Sequence, residues 1–157
     1  MGLDTFAMMH NPLFKPRAKR DLWFQGKYVP KRELPDWAEI SGMAVRQYAL
    51  IRMPRKLFID VPNVLCGGLF SGHGSGSSFR GKAYDDLIEA TTGVSLYQEE
   101  IPNEVVKDMA GALEVLVAAG VSPRQCRKLG VKEEEFEALA KWFQVVADND
   151  GVVIGWW

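Results

Sequence analysis

The chain closes on "VVIGWW" (Val152–Trp157), an apolar run that follows three segments of helical periodicity and a "DNDG" turn. A strand this apolar needs neighbours, and the other strand-like stretches lie in the early part of the chain. The last strand therefore has to return to a sheet begun early, and Leu3–Met8, "LDTFAM", is the expected partner. Strands mostly early, helices mostly late and one terminal strand coming back predict an α+β domain. Its small mixed or antiparallel sheet includes the N- and C-terminal strands and is packed by about three to four helices.

A length of 157 residues suits one domain over residues 1–157, with a basic, proline- and aromatic-rich segment at 11–56 and a body at 57–157. A composition of 47% hydrophobic and 25% charged residues is that of a globular chain rather than a disordered one. No apolar run approaches the roughly 18 residues of a membrane span, and the first residues lack the pattern of a secretion signal. The expectation is a cytoplasmic protein with no membrane partner. Cys66 and Cys126 stand at neither metal-ligand nor redox spacing, so both are expected as reduced, buried small side chains. Charge is uneven: the first sixty residues carry eleven Lys or Arg against six Asp or Glu, the rest eight against fourteen. So modest a basic excess favours a segment lying on an acidic body over a nucleic-acid surface.

Periodicity places the elements. A short strand is expected around Leu22–Tyr28, and two more, "VRQYALIRM" and "KLFIDV", on either side of Pro54. A helix is predicted over Phe79–Thr92, closed by Gly93. A second runs from Pro102 to Gly120 and buries Val105, Val106, Met109, Leu113, Leu116 and Val117. Ser122-Pro123 opens a short helix that Gly130 stops. Glu133, Glu134 and Glu135 then favour the start of a fourth, with an apolar stripe of Phe136, Leu139, Ala140, Phe143 and Val146.

The chemistry concentrates in "SGHGSGSSFRGKAYDD", Ser71–Asp86. From Gly76 it satisfies G-x-x-x-x-G-K, but Ala83 stands where a P-loop needs the hydroxyl that ligates magnesium, and Asp60 precedes the loop instead of following it. The dinucleotide fingerprint fails too, with Ser77 in place of its third glycine. A simpler anion site survives: Ser77 or Ser78 caps the helix, and free N–H groups with Arg80 and Lys82 face a phosphate or carboxylate. The competing account is that the glycines permit tight turns, the serines only cap, and Arg80 pairs with Glu99 or Asp60. His73, inside the glycines, titrates near neutral pH and completes the candidate ligand-binding set of His73, Ser77, Ser78, Arg80 and Lys82. With Glu99 it is also the least poor acid–base pair, but no nucleophile arrangement accompanies it, so a binding protein is favoured over an enzyme. Neither His10 with Met8 and Met9 nor Asp148 with Asp150 makes a metal site, and no cofactor is implied.

The alternative is an interaction module. "FKPRAKRDLWFQGKYVPKR", Phe14–Arg32, mixes cations with rings as single-strand nucleic-acid binders do, but matches no nucleic-acid motif, so a protein partner is preferred. Strand alternation sends Trp156 and Trp157 to opposite faces, leaving one exposed for stacking and one in the core.

Three blocks, the opening "MGLD", "CGGLFSGHGSGSSFRGKAYDDLIEATTGVSLY" with the residues that follow it, and the ending in "GWW", resemble a family of short, uncharacterised bacterial proteins. Those proteins begin MGLD, contain CGG-x-FSG followed by SFRGK-x-Y and TG-x-SLY, and end in GWW. The resemblance covers the second two-thirds of the chain and its first residues, with SFRGK its most specific part. It implies that residues 11–56 are a variable elaboration on a shared body. It assigns no activity and carries no residue role.

Overall fold

The computed structural model describes residues 2–10, 21–24, 27–30, 50–67, 76–120 and 122–157. The chain falls into two compact units, Met9–Ile51 and a larger one of Met1–Met8 with Arg52–Trp157. Among the described residues the order is β1 (Asp4–His10), β2 (Asp21–Phe24), β3 (Lys27–Pro30), β4 (Leu50–Arg52), β5 (Ser78–Phe79), α1 (Asp85–Thr92), α2 (Asn103–Ala118), α3 (Ser122–Lys128), α4 (Glu133–Asp148) and β6 (Val152–Trp156). This is the expected α+β class, with a four-stranded sheet that contains the first and last strands.

In the smaller unit, β2 and β3 pair antiparallel with Leu22 opposite Val29 and Trp23 opposite Tyr28. The sequence suggests one strand there. The chain makes two, β2 and β3.

In the larger unit, β6 runs antiparallel to β1 from Asp4 opposite Trp156 to Met8 opposite Val152. The other edge of β1 is shared. Thr5 and Phe6 lie opposite Phe79 and Ser78 of β5. One residue on, the Ala7 N–H donates to the Ser77 carbonyl at 2.7 Å while its carbonyl accepts the Met53 N–H at 2.9 Å. Both groups of a strand residue point the same way, so β5 and β4 follow one another along that edge. Alternation places Leu3, Thr5, Ala7, Phe79 and Val153 on one buried face. Against it pack α2, through Val106, Met109, Ala110 and Leu113, and α4, through Phe136, Leu139, Trp142, Phe143 and Val146. Trp142 is the centre of this core, with ring centroids 4.8 Å from Phe79, 5.1 Å from Phe143 and 5.8 Å from Phe58.

Two expected elements differ. Only Leu50–Arg52 of the stretches flanking Pro54 is a described strand, and Val45–Ala49 lie outside the described residues. Arg55–Phe58 is a 3-10 turn, with the Leu57 N–H donating to the Pro54 carbonyl at 3.0 Å, and it delivers Phe58 to Trp142. The helix expected from Phe79 starts instead at Asp85. Ser78 and Phe79 are taken by β1, and the chain then passes beneath it at Gly81, where a Cβ would strike Thr5 Oγ1 and both Leu3 Cγ and Cδ2 at 2.9 Å. Close packing alone therefore requires the glycine of SFRGK at this position.

The start of α1 is tied to the strap that follows it. Buried Asp85 accepts the Leu96 N–H at 2.5 Å and the Ser95 hydroxyl at 3.0 Å through Oδ1. Asp85→Ala leaves that buried N–H without a partner and is expected to cost about 1–3 kcal/mol in urea denaturation. An unchanged midpoint would show that Leu96 has another acceptor. No described helix is long and apolar enough to cross a membrane.

Candidate functional site

Gly76 to Lys82 is the described end of the glycine-rich loop; His73 lies outside the described residues. Ser77 and Ser78 are 2% and 1% exposed, one just before and one within β5, and neither caps α1. Their hydroxyls instead meet Arg52, whose Nη2 donates to Ser77 Oγ at 3.3 Å and Ser78 Oγ at 3.0 Å. The Arg52 guanidinium also sits 5.3 Å above the Phe6 ring, a cation–π contact on the face of β1 opposite the helices. One residue earlier, the Gly76 carbonyl accepts the Trp142 indole N–H at 3.0 Å. On its other side Gly76 faces Arg55, so closely that a Cβ would lie 3.1 Å from Nε. Two guanidiniums therefore flank the exit of the loop, and among the described residues no carboxylate forms an ion pair with either.

Arg52 and Arg55 were not evident as site residues. The legible sign was "IRMPR", two arginines held on either side of a proline. Of the residues the sequence favours, Ser77 and Ser78 are the ones that meet Arg52. Half-buried Arg80 lays its guanidinium against Gly2, where a Cβ would be 3.0 Å from Nη2, and it pairs with neither Glu99 nor Asp60. Lys82 is exposed.

The amides before α1 are occupied. The N–H groups of Arg80, Lys82, Ala83 and Tyr84 donate to the carbonyls of Cys66, Leu3, Arg80 and Gly81 at 2.9, 3.2, 3.1 and 2.9 Å. Asp85 and Asp86 occupy the first turn, where they already complement the helix dipole. Among the described residues, Arg52, Arg55, Ser77 and Ser78 form a cation–hydroxyl cluster that could face an anion.

Behind the cluster, the Tyr84 hydroxyl accepts the Cys66 N–H at 2.7 Å and donates to Glu135 Oε1 at 2.9 Å. Burial foremost, then the Cys66 side chain and the hydrogen bond to Glu135 with its charge, push the tyrosine pKa well above its ordinary value against the opposing pull of the Cys66 N–H, so the hydroxyl stays protonated and donating. Glu135 in turn accepts the Lys132 N–H at 2.7 Å through Oε2, closing the start of α4. Cys66 is exposed, not the buried thiol expected. Cys126 is buried as expected, and burial raises its pKa.

The two terminal tryptophans also depart from expectation. Trp156 and Trp157 are both exposed, at 59% and 47%. β6 ends at Trp156, so strand alternation does not reach Trp157, which leans edge-on against Tyr97 with centroids 5.9 Å apart and planes at 65°. Of Phe14–Arg32, only the backbone of β2 and β3 is described. Among the described residues no three His, Cys, Asp or Glu side chains are grouped to hold a metal ion. No family model, curated protein or solved structure matches the chain.

Proposed function

We propose that the chain is a cytoplasmic protein that binds a small phosphate- or carboxylate-bearing ligand at the exit of its glycine-rich loop. Arg52 and Arg55 are the charge partners; Ser77 and Ser78 hold Arg52 in place, and Arg80 and Lys82 add positive charge farther along the loop. The observation that carries this reading is Arg52, braced by Phe6 and by two buried hydroxyls, with no described carboxylate to neutralise it. A guanidinium has five N–H donors in a planar fork suited to phosphate and carboxylate, and the serines engage only Nη2. Holding the fork in advance lowers the cost of ordering it on binding.

The test is a thermal-shift titration with inorganic pyrophosphate and with citrate. A ligand that binds the native state raises the melting temperature. The shift is expected in the unmodified chain and in Arg80→Gln/Lys82→Gln, reduced in the latter, and abolished in Arg52→Gln/Arg55→Gln. Full loss in the Arg80/Lys82 pair with retention in the Arg52/Arg55 pair would move the site to the start of α1. No shift with either anion would remove the reading.

A further inference from the structure

We propose that the exposed rings of Tyr97 and Trp157, with exposed Glu99 on the same strap as Tyr97, form a docking face for a Lys- or Arg-bearing segment of a partner protein. The proposal is independent of the anion reading, because none of its residues belongs to the Arg52–Arg55 cluster.

Rigidity is the first support. The strap carrying Tyr97 is fastened to β6 at two points: the Gly155 N–H donates to the Gln98 carbonyl at 3.0 Å, and Ile101 and Val153 exchange both backbone hydrogen bonds at 2.7 and 3.1 Å. Its inner end is held by buried Leu96, whose N–H is on Asp85. Tyr97, 40% exposed, therefore stands on a backbone held at both ends, with Trp157, 47% exposed, edge-on against its ring. Little ordering entropy is then lost when a partner covers them.

Charge selects the partner. Exposed Glu99 lies between the two fastening points, next along the chain from Gln98. From Ser95 to Val106, Glu99 and Glu104 are exposed carboxylates, and the segment holds no Lys or Arg. Tyrosine and tryptophan faces attract cations, and the carboxylate on the strap adds to that attraction while repelling phosphates. A nucleic acid, which the same rings would otherwise stack on, is therefore disfavoured, and a basic peptide is matched both by ring and by charge.

The test follows the Trp157 indole N–H in the ¹⁵N-labelled full chain, its peak assigned by its loss in Trp157→Phe. Titration with an oligo-arginine peptide is expected to move that peak progressively. Binding should weaken by about tenfold in Trp157→Ala and measurably in Glu99→Gln, with melting temperatures unchanged because both side chains are exposed. The affinity should also fall with added salt. The proposal is overturned if the peak stays still, if an uncharged Gly/Ser peptide moves it equally, or if single-stranded DNA moves it and oligo-arginine does not. Unaltered affinity in both variants would place the peptide on another acidic surface and overturn it as well.

Discussion

Trp142→Ala is expected to remove about 3–5 kcal/mol of folding stability, read as a large drop in the urea midpoint. Trp142 is fully buried and touches rings from three parts of the chain: Phe58 from the turn after Pro54, Phe79 from β5 and Phe143 from its own helix. Truncation leaves a cavity where these rings meet and takes the indole donor from the Gly76 carbonyl. Against a total stability of roughly 5–15 kcal/mol, such a loss leaves little reserve. Trp142→Phe separates the contributions, since it keeps much of the ring volume but loses the hydrogen bond, and should cost about 1–3 kcal/mol. A loss for Trp142→Ala no larger than that for Trp142→Phe would show that the cluster collapses around the gap.

Gly155→Ala should be damaging out of proportion to the single methyl it adds. The new Cβ would lie 2.5 Å from the Leu96 carbonyl and 2.7 Å from the Gln98 carbonyl, with Leu3 Cδ1 at 3.2 Å. Two of these atoms are backbone and have no rotamer to change. Relief requires moving the 96–98 strap, which strains the Gly155–Gln98 and Leu96–Asp85 hydrogen bonds together. A cost of about 1–3 kcal/mol is expected, measured as a fall in melting temperature. Gly111→Ala is the control: it lies in α2 with nothing within 4 Å of its added Cβ, and should raise stability by about 0.5–1 kcal/mol. If both variants melt alike, the strap does not lie against β6.

The sequence made the helices and the closing strand readable because their signals are local. Val106, Met109 and Leu113 recur at helical spacing and are buried, and Gly93 ends α1 at φ 76° as a left-handed cap. Trp142 escaped the expected stripe although it stands three residues beyond Leu139. α4 is buried over a wider arc than a two-layer packing requires, taking in Ala138, Leu139 and Trp142, because Phe58 and Phe79 reach it as well as α2.

The serines were readable as polar residues before a helix, not as strand. β5 is two residues long, too short to show alternation, and is defined only by its approach to β1. The Arg52–Ser78 contact has the same origin. It joins residues 26 positions apart, and no spacing within either segment announces it.

One feature of the sheet governs how the fold is reached. β1 alone pairs with β6 on one edge and with β5 and β4 on the other, setting Ala7 opposite Val153 and beside Ser77 and Met53. Helices close their hydrogen bonds between near neighbours and form within about microseconds. Every ladder of this sheet must first bring together residues distant along the chain, and such closures slow the search for the native state. Docking of one short strand is therefore the step expected to slow folding, while α2 and α4 can already pack on each other before it arrives.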